Sequence, residues 1–209
     1  MAAFGWTTSY VKDNSGALLS LKLLGFFNFT LGINSKISTN PAVALGVSET
    51  TLLELTSAYG TILNDGIKVL PYGLKKLSLE TGGTFSKKTA SPKNERVLRS
   101  ETAHGMIYML EKALSDGTGK KATFSNWEAA GKTGTTQDAR DAWFIGFTSN
   151  LVVGVYVGYD SPKKLGKYET GSKTALPIFK EFIKNAVNIY EARPFKISKG
   201  IKMMVIDAE

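Results

Sequence analysis

The sequence predicts an α+β fold, an antiparallel sheet flanked by helices. Residues 129–160 hold three runs, AAGKTGTT, DAWFIGFT and LVVGVYVGYD, the later two rich in β-branched and aromatic residues. Only short polar turns separate them, and such turns join antiparallel neighbours, because a parallel crossover needs a dozen or more residues. Apolar residues at helical spacing precede this block and follow it, so helices and strands are segregated along the chain.

The first helix is predicted over 50–64, where Leu52, Leu55, Ala58, Tyr59 and Ile62 share one face, and Asp65-Gly66 stops it. Residues 67–90 alternate short apolar runs with Pro71, Gly73, Gly82 and Gly83, the pattern of a hairpin or extended insertion. SPKNE at 91–95 reads as a loop. Val97, Met106, Ile107, Leu110 and Leu114 mark a second helix, ended by Ser115-Asp116-Gly117 and Gly119. Three strands follow over 129–160. The last helix, 175–190, tolerates Pro177 in its first turn and is expected to bury Ile178, Phe182, Ile183, Val187 and Tyr190.

Composition narrows the chemistry. With 43% apolar and 21% charged residues the chain is of ordinary globular type. Its lack of cysteine excludes disulfides, thiol nucleophiles and thiolate metal sites, and no metal or cofactor site is predicted. His104 is the only histidine, which argues against a histidine metal site or a Ser-His-Asp triad; it reads as a surface or half-buried residue. The net charge is +8, yet the lysines fall in scattered pairs (75–76, 87–88, 120–121, 163–164) rather than in an aromatic-interleaved cluster. They read as solvated loops, and nucleic acid is not an expected partner. The apolar run at 16–33 is interrupted by Lys22 and Asn28, so a buried helix is expected there in place of a membrane span.

The tripeptide Gly131-Lys132-Thr133 poses the main functional question. A phosphate-binding loop needs a glycine five positions before Gly131 and a helix directly after the lysine. Asn126 occupies that glycine position, and Gly134, two threonines, a turn and a strand follow. The nucleotide reading fails on both counts. The alternative is the Lys-Thr-Gly element of serine acyl-transfer enzymes, in which an edge strand lies beside the nucleophile. There the lysine supplies charge and hydrogen bonding near the serine's proton relay, and the glycine lets the acyl group lie against the strand. The threonine hydroxyls face a carboxylate, and a backbone N–H beyond the glycine joins the oxyanion hole.

Several ordered blocks surround that tripeptide: NPAVALGVSETTLLELTSAYGTILNDG at 40–66, DGTG at 116–119, GKTGTTQDARDAWFIGFTSNLVVGVYVGYD at 131–160, GSKTALPIFKEF at 171–182 and RPFKISKGIKMMVID at 193–207. Together they closely resemble the transpeptidase domain of class A penicillin-binding proteins, from about Leu31 to the end of the chain. The resemblance implies part of the serine D,D-transpeptidase and β-lactamase-like fold. It also implies cell-wall cross-linking. A serine attacks the penultimate D-alanine carbonyl of a peptidoglycan stem peptide, expels the terminal D-alanine, and passes the acyl group to an amine of a neighbouring strand. β-Lactams would acylate the same serine. No cofactor is implied, and the family's place is the periplasmic face of the bacterial inner membrane, with a membrane anchor.

By the same resemblance Lys132 is the motif lysine, and Thr133, Gly134 and Thr135 form the substrate-binding strand. The Thr135 N–H is the expected oxyanion donor and its hydroxyl the expected carboxylate contact. Asp141, Trp143 and Phe144 are expected to pack and pair strands, and Gly117-Thr118-Gly119 to shape a turn near the site. The family also needs Ser-x-x-Lys and Ser-x-Asn. Ser9–Lys12 and Ser38–Asn40 match these by pattern but are set aside, because only 29 positions separate Ser9 from Ser38 and the latter sits in the Pro-x-x-x-Leu-Gly stretch. The nucleophile is expected upstream of Met1. The expected division is an atypical segment at 1–30, the carboxyl part of the transpeptidase domain at 31–190, and an exit segment at 191–209 cut off in mid-strand. Such a chain is expected to be inactive alone; the alternative is a noncatalytic remnant or binding module of the same fold.

Overall fold

Threonine 51 starts the first described helix for a reason visible in its side chain. In the computed structural model, which describes residues 30–36, 48–74, 77–82, 84–85, 95–117, 124, 128–187, 189–191, 193–202 and 204, the Thr51 hydroxyl accepts from the Glu54 N–H, and the Glu54 carboxylate accepts from the Thr51 N–H. This reciprocal capping box satisfies two N–H groups that an open helix start would leave unpaired, and is worth about 1 kcal/mol. The helix, α1 (Leu52–Leu63), buries Ala58, Tyr59 and Ile62, with Leu52 and Leu55 packed at the margin of the same cluster. It ends at Asn64; Asp65 and Gly66 then turn with φ of 59° and 75°. A side chain at Gly66 would run into the Leu98 carbonyl, so glycine is required there for space as well as for its angle.

Beyond this turn Ile67 bridges to Arg96, and a two-residue antiparallel ladder joins β1 (Leu77–Ser78) to β2 (Thr84–Phe85), a hairpin within 67–90 as the punctuation predicts. Asp65 fastens the base of this excursion. It takes Arg96 at 2.8 Å and Ser100 at 2.5 Å, and His104 lies 3.5 Å away. The Ser100 and Arg96 bonds hold the Asp65 carboxyl below its ordinary range. Helix α2 (Ser100–Ser115) then carries Ile107, Leu110 and Leu114 inward. Val97, which periodicity assigns to this helix, lies just before it.

The sheet is β3 (Ala130–Thr135), β4 (Ala142–Phe147) and β5 (Val152–Val157), in that order and antiparallel throughout. Lys132 stands opposite Ile145 and Gly134 opposite Trp143; across the next ladder Ile145 meets Gly154 and Trp143 meets Tyr156. Because side chains alternate faces, Ala130, Ile145 and Phe147 point toward α1 and α2, in a cluster with Tyr59, Ile62 and Leu110. Ala142, Phe144 and Val155 point the other way, against the closing helix α3 (Ala175–Ala186). The result is three layers with the sheet in the middle, α1 and α2 on one face and α3 on the other.

Helix α3 corrects one sequence expectation. It buries Ala175, Leu176, Phe179, Ile183 and Ala186, with the Phe179 ring 4.6 Å from that of Phe144, while Ile178, Phe182 and Tyr190 are half exposed. The segment ALPIFKEFIKNA offers apolar residues on two adjacent stripes, and the one containing Phe179 packs against Phe144 and over the side-chain-free Gly146. The helix also ends four residues earlier than expected, and Tyr190 falls outside it. Of the five residues expected to be buried, Ile183 alone is fully buried and Val187 is partly buried at the margin of the same cluster. Of the run 16–33, only Thr30–Ile33 lies within the described residues, and Leu31 and Ile33 join the core. The pattern matches Ser9–Lys12 and Ser38–Asn40 lie outside them. No helix among the described residues is long and apolar enough to cross a membrane.

Candidate active site

Strand β3 has one edge paired and one edge not paired by any described strand. Which groups it presents on the second edge follows from the hydrogen-bond alternation. The Thr136 N–H donates to the Asp141 carbonyl at 3.1 Å, which makes that pair a hydrogen-bonded one. In an antiparallel ladder such pairs recur every second residue. Gly134–Trp143 and Lys132–Ile145 are therefore the bonded pairs, and the N–H and C=O groups of Gly131, Thr133 and Thr135 aim away from β4. An extended chain approaching this edge meets the Thr133 carbonyl and the Thr135 N–H in succession, the arrangement required to add a strand.

All four predicted site residues lie on this strand. The Lys132 side chain is half buried, and its ammonium donates to the outward Thr133 carbonyl at 3.0 Å, with the Thr133 hydroxyl 3.5 Å away. Burial pushes its pKa below the ordinary lysine value. Thr133 is 8% exposed, on the face of the sheet it shares with its cross-strand partner Phe144. Gly134 is buried, and Thr135 is partly open at the end of the strand.

The surroundings of Thr135 were not anticipated. Its hydroxyl accepts from the Gly171 N–H at 3.0 Å, across 36 residues of sequence. Gly171 in turn offers its carbonyl to the Leu176 N–H at 2.9 Å in the first turn of α3. One residue thus ties β3 to helix α3. No spacing rule links positions 135 and 171. The hint available was composition alone, a glycine in the block before a helix.

The turn between β3 and β4 is held from the same direction. Asp138 and Ala139 adopt positive φ (64° and 50°), and the Ala139 carbonyl accepts from the Leu165 N–H at 2.9 Å. Lys164 reaches Asp138 at 3.1 Å. The exposed pair Lys163-Lys164 fulfils the expectation of solvated lysines. Asp141, Trp143 and Phe144 take packing roles: the Tyr156 hydroxyl donates to Asp141 at 2.9 Å, Trp143 meets Tyr156 edge-on at 4.9 Å, and Phe144 is fully buried. Gly117 sits in the turn after α2; Thr118 and Gly119 lie outside the described residues.

An outward strand edge with a half-buried ammonium can hold an extended acyl chain and donate hydrogen bonds to developing negative charge. The profile described as "Penicillin binding protein transpeptidase domain" matches residues 25–184. The Penicillin-binding protein 1A of Rickettsia prowazekii is 38% identical over 197 residues, covering 84% of this chain and 25% of its own length. The crystal structure of Penicillin-Binding Protein 1A from Haemophilus influenzae superposes with a TM-score of 0.72 at 26% identity, over 88% of this chain and 34% of that one. The PonA1 protein of Mycobacterium tuberculosis in complex with penicillin V has a TM-score of 0.71 at 22% identity, covering 88% and 53%. The chain thus spans about a quarter of the length of the curated relatives it matches. Its three-stranded antiparallel sheet between helices is that of the penicillin-binding transpeptidase fold. On the profile, the relatives and the fold together, the chain belongs to the family of penicillin-binding protein transpeptidase domains.

Proposed function

We propose that this chain supplies the substrate strand of a peptidoglycan D,D-transpeptidase. The observation that carries this is the open edge of β3, where Lys132, the Thr133 carbonyl and the Thr135 N–H and hydroxyl follow one another. A stem peptide would lie along it in extended form, its terminal carboxylate at the Thr135 hydroxyl. The Thr133 hydroxyl is the second carboxylate contact, and Gly134 leaves room for the acyl group. A serine hydroxyl, assigned here to no described residue, attacks the penultimate D-alanine carbonyl while its proton passes into the relay that Lys132 supports. The Thr135 N–H stabilises the oxyanion. Collapse breaks the peptide bond, the departing D-alanine amine takes the proton, and an acyl-serine remains until an amine from another strand displaces it.

β-Lactams present the same carboxylate and a strained amide in place of that peptide bond, and the similar PonA1 protein was solved with penicillin V. The complete protein would then work at the periplasmic face of the inner membrane, where peptidoglycan is assembled. Fluorescent penicillin tests this. The chain alone is expected to take no covalent label. Mixed with a polypeptide carrying the family's Ser-x-x-Lys segment, it is expected to restore labelling that Ser9→Ala leaves intact and Lys132→Ala abolishes. Stable labelling of the chain alone, or labelling indifferent to Lys132, would refute the assignment.

A further inference from the structure

We propose that Gly171 is a positioning residue for carboxylate recognition, acting through the hydroxyl of Thr135. A threonine hydroxyl has one hydrogen to give and two lone pairs with which to accept. The Gly171 N–H, 3.0 Å from Thr135 Oγ1, occupies an accepting direction. The hydroxyl hydrogen is thereby excluded from the Gly171 side and left for a partner at the strand's open edge. The β-branched side chain of Thr135 has a stiff χ1 and does not swing to escape this geometry. A hydroxyl whose hydrogen is directed to the open edge suits an anion, which only accepts and forms the stronger, charge-assisted bond; a neutral amide offers one uncharged carbonyl oxygen in place of two carboxylate oxygens.

Close approach explains why this residue is glycine. A Cβ at position 171 would lie 2.5 Å from both the Gly134 and Trp143 carbonyl oxygens and 3.2 Å from the Gly134 nitrogen. These are backbone atoms of paired strands and cannot turn aside, so any side chain lifts the segment off β3 and stretches the bond to Thr135. The segment is otherwise braced by its own contacts: Thr174 donates to Glu169 at 2.9 Å, the Lys173 and Thr174 N–H groups reach the Thr170 carbonyl, and Leu176 caps onto Gly171. Lifting Gly171 therefore displaces a coherent unit and frees the Thr135 hydroxyl to rotate.

The proposal rests on the transpeptidase reading and deepens it. It is tested on the full 209-residue chain by nuclear magnetic resonance, with an acetylated D-alanyl-D-alanine peptide and its C-terminal amide as probes. The unmodified chain is expected to bind the carboxylate form about tenfold more tightly, and Gly171→Ala to bring the two within about twofold while amide binding persists. Thr135→Ser is expected to keep the preference and Thr135→Val to lose it, which a purely structural role for either residue would not produce. Amide exchange gives a second measurement that needs no folded Gly171 variant. The Gly171 amide is expected to be protected in the unmodified chain and in Thr135→Ser, and unprotected in Thr135→Val. If neither peptide perturbs β3, the transpeptidase reading falls and the proposal with it. If the carboxylate preference survives Gly171→Ala, or the Gly171 amide stays protected in Thr135→Val, the positioning role alone is overturned.

Discussion

Lys132 is placed where stability and chemistry conflict. Its ammonium is half buried with the Thr133 carbonyl as acceptor, and burial lowers its pKa. A base whose folded pKa is depressed costs stability while it is protonated. That cost is relieved as pH climbs from the folded value toward the ordinary 10.5, because the unfolded chain then binds more protons. Lys132→Met is therefore expected to stabilise the chain at neutral pH, by about 0.5–1 kcal/mol once solvent screening of the open site is allowed for. The gain should shrink as pH rises toward 10.5, while reconstituted penicillin labelling falls by about 100-fold or more. Thermal melts across that pH range check the first part. The strand that carries Lys132 was legible at this scale because Gly-Lys-Thr-Gly followed by a turn fits a strand and excludes a phosphate loop. The Gly171 contact was not, since it depends on how closely two segments 36 residues apart approach.

At the scale of elements, α1 shows how a local code becomes long-range. Glu54 closes the capping box and also accepts from the Ser35 hydroxyl and, at 3.0 Å, the Asn34 N–H, so the helix start holds the 34–35 segment in place. The Ser35 bond is the main reason its carboxyl sits at about 2 rather than 4.5. Glu54→Ala is expected to cost about 1–2 kcal/mol at neutral pH, with the screening of a partly exposed group included. A depressed carboxyl pKa means that this stability is complete above about 4.5 and is lost as pH falls toward about 2. The gap between variant and unmodified chain in denaturant titrations should close over that window. The capping box is a local Thr-x-x-Glu pattern, whereas the register of α3 is not locally encoded, because Phe179 and Phe182 are equally apolar and the sheet chooses between them. Replacing each with alanine measures that choice. Phe179→Ala, which opens a cavity against Phe144, should cost about 3–5 kcal/mol, and Phe182→Ala should stay within about 0.5 kcal/mol.

For the whole molecule the consequence is an uneven surface. Two packed clusters enclose the sheet, yet Ile178, Phe182, Ile189 and Tyr190 line an exposed apolar strip along α3 and just past its end, and Tyr156 stands half exposed on β5. Alternation along β5 adds to this. Its residues 153, 155 and 157 bond to β4, as the Thr148–Leu151 bond fixes, so Val152, Gly154 and Tyr156 turn their backbone groups toward an edge that no described strand pairs. Exposed apolar surface and a strand edge that no described strand pairs each favour association between copies. Acidic residues on the strip should suppress that association without touching the core, since side chains already in water lose little on replacement. The double variant Ile178→Glu, Ile189→Glu is accordingly expected to keep its thermal midpoint, with a stability change within about 0.5 kcal/mol per site, while concentration-dependent light scattering falls. A drop of about 2 kcal/mol or more would mean that these side chains are covered in solution, and that the strip belongs to the protein's interior.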